Sequence, residues 1–98
     1  AASRIAHLFC ELFVKAKAIG IVEKSTIAMP LTQTELGEAL GLSTVHVNRS
    51  LQDLRARGLL QLRDGALTVL DWHGLARTGQ FTPDYLHLRE PIGLLEDA

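Results

Sequence analysis

The chain has 98 residues, of which 47% are apolar and 21% are charged. This is the composition of one ordinary globular domain and excludes the disordered and fibrous classes. No apolar run is long enough to cross a bilayer and no export signal opens the chain, so we expect a cytoplasmic protein without a membrane partner. The single cysteine, Cys10, allows no internal disulfide, and we expect it to act as a small apolar side chain.

The charge is close to balanced, with a formal net charge of −1, which disfavours an indiscriminate binder of polyanions. Its distribution is uneven. Residues 1–30 carry four basic and two acidic side chains, residues 31–70 carry four of each, and residues 71–98 carry two basic and five acidic ones. Because the acidic end offsets the rest of the chain, a locally basic face is compatible with the net charge.

The first nineteen residues have the apolar spacing of an amphipathic helix, which Gly20 ends. The face expected to be buried contains Ile5, Leu8, Phe9, Leu12, Phe13, Ala16 and Ile19. Val14 lies nearly opposite that face on the helical wheel. We therefore expect it to be exposed, either as an isolated surface side chain or as a contact with another domain.

Two capped helices follow in the middle of the chain. Thr32-Gln33-Thr34-Glu35 is a capping box that opens the first of them, and Gly41 ends it. Ser43 caps the second helix, whose buried face is expected to contain Val47, Leu51 and Leu54. Gly37 lies inside the first helix at a cost of about 1 kcal/mol relative to alanine, so we expect the backbones of the two helices to approach each other closely there. Together these features predict a helix-turn-helix over residues 32–57.

Strand-like runs at 59–63 and 66–70 come next, joined by Asp64-Gly65. Both turn positions tolerate positive φ, so this dipeptide is typical of a two-residue hairpin turn. A hairpin directly after a helix-turn-helix is a wing, here residues 59–70. The predicted fold class is mainly α with a small β-hairpin, a winged helix-turn-helix, and the β-like stretch 25–31 is expected to form an edge strand because it contains Pro30.

We assign residues 1–80 to this domain, with its opening helix over 1–19, and residues 81–98 to a C-terminal extension. Asp71 is predicted to cap a short helix through Trp72, and Thr82-Pro83 to open another around Tyr85 and Leu86. We expect Trp72 to belong to the core or to cover it, with a ligand platform as the alternative.

The outward face of the second helix carries the candidate DNA-reading residues. At about 100° per residue, Val45, Arg49, Gln52 and Ala56 lie opposite the buried line. The Arg49 guanidinium matches O6 and N7 of guanine, although an exposed arginine can also be merely solvated. Val45 has no folding reason to be exposed, and either a thymine methyl or another protein would give it a partner. The expected base contacts are Thr44, Val45, Asn48 and Arg49.

Phosphate contacts are expected from hydroxyls, an imidazole and backbone amides at the two helix starts, and from the wing turn. These residues are Thr32, Thr34, Ser43, His46, Arg63 and Gly65, while Arg55 and Arg57 are expected to point sideways. The four histidines show no metal-ligand or base-nucleophile spacing, and no glycine loop for phosphate is present. We therefore expect no metal site, no catalytic residues and no enzyme activity.

The segment LTQTELGEALGLSTVHVNRSLQDLRARGLL resembles the helix-turn-helix of the Crp-Fnr family of bacterial transcription regulators. SRIAHLFCEL resembles the helix that opens that family's C-terminal domain, and the similarity spans about Ser3 to Leu70. The resemblance implies double-stranded DNA as the partner, a homodimer in the full-length protein and RNA polymerase as a candidate further partner. It also implies an N-terminal sensor domain outside this chain, where a cyclic nucleotide or other effector would bind; no cofactor is expected in the chain itself.

The resemblance also extends to single positions of the DNA-binding surface. Arg49 matches the family's guanine-reading arginine, Thr32 the threonine that opens the motif and Gly65 the wing-tip glycine. Val45 stands where a glutamate is frequent, so an acceptor for the amino group of cytosine is missing and a different operator is expected. Ala66 stands where some members have a basic residue, so wing contacts would be weaker or shifted to Arg63.

Two functions remain in competition at this point. Arg49, the capped first turn and the resemblance favour sequence-specific DNA binding in transcription control. The alternative is a winged helix used only for protein association, which the near-neutral charge and the apolar Val14 and Val45 favour.

Overall fold

The computed structural model describes residues 1–29 and 31–81, so the helix predicted around Tyr85 and nearly all of the 81–98 extension lie outside the described residues. Four helices and three strands form this part of the chain. In order they are α1 (Ala2–Ala18), β1 (Thr26–Ala28), α2 (Gln33–Leu40), α3 (Thr44–Ala56), β2 (Leu60–Arg63), β3 (Ala66–Val69) and α4 (Trp72–Thr78). The predicted class, mainly α with a β-hairpin wing, is confirmed.

The sheet is antiparallel with the order β1-β3-β2, so β1 lies at an edge, as the presence of Pro30 in the stretch 25–31 predicted. The register pairs Ile27 with Leu67, and both side chains are buried. A hydrogen bond of 2.8 Å joins the Thr26 and Thr68 hydroxyl oxygens across the same two strands. The wing is therefore supported along one side by a third strand that comes from before the helix-turn-helix.

Helix α1 is buried over a wider arc than a single stripe, because it packs against α2, α3 and α4. Val14 is only 4% exposed, so the expectation that it faces outward was wrong. Ile19 was expected in the buried face but is 72% exposed. The helix ends at Ala18, and the backbone of Ile19 has left the helical path that would have returned its side chain to the core.

The core lies where α1, α3, the sheet and α4 meet. Its fully buried side chains include Phe9, Leu36, Val47, Leu54, Leu67 and Leu75.

Asp71 caps α4 by accepting a hydrogen bond from the Gly74 amide at 3.0 Å. Trp72 is partly buried against the core, and its ring makes a T-shaped contact with that of Phe81, with centroids 6.0 Å apart. This agrees with the expected role as a cover on the core. Among the described residues, no helix is both long enough and apolar enough to span a bilayer.

Backbone contacts fix the turn between α2 and α3. Gly41 adopts the left-handed conformation with φ of 71°, and the Leu42 amide donates to the Gly37 carbonyl at 2.8 Å. A Cβ at Gly37 would lie 2.5 Å from the Leu42 carbonyl oxygen, whereas the nearest atom of α3 would be a Val47 methyl at 3.6 Å. The close approach inferred from Gly37 is therefore an approach of α2 to the turn, and not of one helix backbone to the other.

We expect Gly37→Ala to destabilise the domain by about 1–3 kcal/mol, because the added methyl meets a backbone carbonyl that cannot move away cheaply. Urea denaturation should show a lower midpoint with an unchanged slope. The reverse exchange at an exposed position of the same helix, Ala39→Gly, is the control and should cost about 1 kcal/mol through helix propensity alone. A Gly37→Ala protein that gains stability, as propensity alone would require, contradicts the close contact.

The Cys10 thiol is fully buried, and burial together with the neighbouring Glu11 charge raises its pKa from 9.0 to about 12. We expect it to resist maleimide in the native protein and to react once urea has unfolded the chain. Between pH 9.0 and about 12 the unfolded chain loses the thiol proton first, so the free energy of unfolding should fall as pH rises. In Cys10→Ala the free energy of unfolding should not show the part of this decrease that comes from the thiol. Rapid maleimide labelling of the native protein would contradict the burial of Cys10.

Candidate nucleic-acid interface

The start of α3 is a capped and exposed helical turn. Ser43 has an extended backbone, and its hydroxyl oxygen accepts a hydrogen bond from the His46 amide at 3.2 Å. This cap is the one that the sequence predicts, and it ends the tight turn from α2. Residues 43–46 are all exposed, and Val45 leaves 58% of its surface in contact with solvent. A large apolar side chain thus stands on the outer side of the first turn.

Helix α3 divides into a core side and a solvent side. Val47, Ser50, Leu51 and Leu54 are buried, whereas Val45, Arg49 and Gln52 are exposed, as the helical wheel indicated. Within the described part of the chain, Arg49 has neither an ion pair nor a hydrogen bond that would hold its guanidinium. Its five N–H donors are therefore available to a ligand on the outer side of the helix.

Asn48 differs from Arg49 in that its amide is already engaged. Its nitrogen donates to the Gln33 side-chain oxygen at 3.4 Å, and its oxygen accepts from the Gln52 nitrogen at 3.1 Å. These bonds link the first turn of α2 to the outer face of α3. These bonds orient the Asn48 amide and leave it one N–H donor and one oxygen lone pair for a base. The i to i+4 spacing of Asn48 and Gln52 is a sequence signal for this link, but the partner on α2 depends on the tertiary fold.

The expected phosphate-binding residues lie at two ends of this surface. Thr32 closes the predicted capping box, accepting from the Glu35 amide at 3.0 Å while its own amide donates to the Glu35 carboxylate at 2.8 Å. Its hydroxyl proton is not used by that bond. Thr34, Ser43 and His46 are exposed at the starts of α2 and α3. Hydroxyls and free amides at helix starts are suited to an anion.

The wing carries the remaining two expected residues. Asp64 and Gly65 have φ of 52° and 74°, which is the primed turn that the sequence predicts. Arg63 is exposed at the end of β2, and with the Gln61 amide oxygen turned toward it the guanidinium donates twice, at 2.9 and 3.1 Å. Arg63 lies beside the C-terminal half of α3, in a groove that Gln52 and Arg55 also line. The expected contacts are thus spread along the whole of α3.

The other two basic residues of α3 differ from each other. Arg57 forms an ion pair with Asp53 at 3.3 Å and donates to the Thr78 hydroxyl at 3.0 Å, so it ties α3 to α4. Arg55 borders the groove next to the wing, a position that the helical wheel alone did not reveal. Within residues 1–29 and 31–81, no cluster of three histidine, cysteine or acidic side chains is arranged to hold a metal ion.

The model of the Crp-like helix-turn-helix domain family matches residues 3–78. The chain belongs to this family. The resemblance to Crp-Fnr regulators is thereby confirmed, and the chain is a DNA-binding domain of the transcription-regulator type, from a family that is in general not enzymatic. No curated protein matches the chain significantly.

Solved structures of CprK share this fold. A cysteine-to-serine variant of CprK complexed with OCPA is 30% identical, with a TM-score of 0.65 over 80% of this chain and 37% of that one. Oxidised CprK with o-chlorophenolacetic acid is 29% identical, with a TM-score of 0.67 over 93% of this chain and 37% of that one. Reduced CprK without ligand is also 29% identical, with a TM-score of 0.65 over 79% of this chain and 36% of that one. This Crp-like domain therefore spans little more than a third of the length of those CprK chains.

Proposed function

We propose that this Crp-like domain binds double-stranded DNA sequence-specifically, with α3 in the major groove, as part of a bacterial Crp-Fnr-like transcription regulator. The observation that carries the proposal is the outer face of α3. It presents Val45 and Arg49 to solvent directly after a capped helix start, while the opposite face is buried in the core. Arg49 has no side-chain partner in the part of the chain that the structure describes. The N-terminal turns of a recognition helix are the part that meets base edges.

Arg49 and Val45 supply two different kinds of base recognition. A guanidinium that donates to both O6 and N7 of guanine contributes about 1–3 kcal/mol of discrimination against other bases. An exposed valine contacts the C5 methyl of thymine, a group that cytosine lacks. Thr44 and Asn48 flank them and complete the proposed base-reading set.

Phosphate contacts hold this reading surface in place without recognising sequence. We assign them to Thr32, Thr34, Ser43 and His46 at the helix starts, and to Arg63 and the Gly65 backbone in the wing. Since the net charge of the chain is only −1, local arginines and helix-start amides have to provide the attraction that a basic protein would obtain from its overall charge.

For the whole protein we propose a cytoplasmic homodimer on a two-fold symmetric operator. A dimer places two recognition helices about 34–36 Å apart, one turn of DNA, so two half-sites are bound together. An effector-binding sensor domain and contact with RNA polymerase are further parts of this proposal, which rests on membership in the Crp-like family.

Association with another protein through the same face is the second candidate. The 58% exposure of Val45 favours it, because an exposed apolar side chain also suits a protein interface. Val14 no longer supports this candidate, since it is buried. The two candidates differ in one measurable property, which is whether binding depends on DNA sequence.

Selection of binding sites from random duplexes tests the proposal, followed by fluorescence anisotropy on the selected site and a scrambled one at low ionic strength. We expect Arg49→Ala to remove the difference between the two duplexes and to leave the melting temperature unchanged, because the side chain is exposed. Lys24→Ala, an exposed charge before β1, is the control and should keep the difference. An unchanged preference in Arg49→Ala would exclude Arg49 from base reading.

Val45→Ala should weaken the preference at a single thymine of the selected site. Replacing each thymine in turn by deoxyuridine, which lacks the methyl group, locates that position in the wild-type protein. At this position the wild-type domain should bind the uracil duplex less tightly than the thymine duplex, by up to about 0.8 kcal/mol for one buried methyl. Val45→Ala should bind the two duplexes equally well. If both proteins respond identically at every thymine, Val45 faces another protein or solvent.

A further inference from the structure

A shallow groove runs between the C-terminal half of α3 and strand β2. Gln52, Arg55 and Ala56 line it from the helix, Gln61 and Arg63 line it from the strand, and Leu70 borders it after β3. We call it the Arg55–Arg63 groove. Among the described residues that line it, two are basic and none is acidic, in a chain whose net charge is negative.

The groove continues the outer face of α3 toward the wing. Val45, Arg49, Gln52 and Ala56 fall on one line along the helix, and the last two also line the groove. Ala56 follows Arg49 by seven positions, which is a rise of about 10 Å at 1.5 Å per residue. A DNA duplex bound at Arg49 would therefore also lie near the C-terminal end of α3, where the groove faces the wing.

The two guanidiniums of the groove have unused donors. The Arg55 side chain has no ion pair or hydrogen bond to any other residue in the described ranges, 1–29 and 31–81. Arg63 gives two of its five N–H groups to the Gln61 amide, which orients the guanidinium and leaves three donors over. The acidic residue nearest in sequence on α3, Asp53, is paired with Arg57 and does not neutralise Arg55.

From these observations we infer that the Arg55–Arg63 groove binds backbone phosphates of DNA beside the segment that the first turns of α3 read. This inference rests on the proposed function and extends it by adding Arg55, and with it this groove, to the phosphate contacts already assigned to Arg63 and the helix starts. Arginine forks match phosphate oxygens in pairs, and a protein obtains affinity from such contacts by displacing counterions from the duplex. Arg55 thus becomes a phosphate-binding residue, although the helical wheel placed it at the side of α3.

The test measures how the dissociation constant depends on salt concentration for the wild-type chain and for Arg55→Gln, Arg63→Gln and the double variant. Each glutamine keeps a polar side chain of similar length without the charge. Arg77→Gln in α4 is the matched control, an exposed arginine away from the groove. Each duplex, selected and scrambled, is titrated by fluorescence anisotropy, and Arg49→Ala is included in the same series.

Arg55→Gln should reduce the slope of log K against log salt by about 0.9, the value for one lost phosphate contact. The loss of affinity should be equal for both duplexes, and the double variant should lose more than either single one. Arg77→Gln should keep the wild-type slope. An Arg55→Gln slope equal to that of Arg77→Gln overturns the inference, and so does an affinity loss confined to the selected duplex, which would make Arg55 a base-reading residue.

Failure of this inference can be told apart from failure of the proposed function. If Arg49→Ala loses sequence preference while Arg55→Gln behaves as the control does, DNA reading stands and the groove does not bind phosphate. If the wild-type chain prefers no sequence and Arg49→Ala changes nothing, the proposed function fails. A change in self-association of Arg55→Gln, seen by sedimentation without any change in salt slope, would assign the groove to a protein contact instead.

Discussion

The proposed DNA-binding surface depends on one close backbone contact, where α2 meets the turn before α3. The Leu42 amide donates to the Gly37 carbonyl at 2.8 Å, and the Leu42 carbonyl occupies the space that a side chain at position 37 would need. Gly41 supplies the left-handed conformation that makes the turn short enough. Because this turn directs the chain into Ser43, it sets where the capped start of α3 emerges from the core.

The two sides of α3 have separate tasks. Its core side holds the helix through Val47, Leu51 and Leu54. On the opposite side Asn48 bonds to Gln33 of α2, whereas Val45 and Arg49 are exposed. Val45 and Arg49 thus lie outside the packed core, and among the described residues the Arg49 guanidinium has no partner. By contrast, Arg57 is engaged with Asp53 and Thr78 and belongs to the structural part of the helix. The net charge of −1 is a property of the whole chain and does not describe the charge on the outer face of α3.

The elements that sequence reasoning located well are those governed by local chemistry. The capping box at Thr32, the cap at Ser43 and the turn at Asp64-Gly65 each depend on residues within four positions of one another, and all three are present. Reasoning from periodicity failed at Val14 and Ile19 in α1. A helical wheel assumes one buried stripe and a helix of known length, whereas α1 packs against three helices and ends at Ala18.

The sequence by itself determined the helix starts, the turn types, the buried and exposed sides of α3 and the family, because these follow from residue type and spacing along the chain. Only the tertiary structure decided which distant residues meet. It joined Gln33 to Asn48, added β1 to the wing, and placed Arg55 beside Arg63. The physical reason is that such contacts depend on how whole elements are oriented after the core has packed, and a periodic pattern in one element contains no information about its neighbour's orientation.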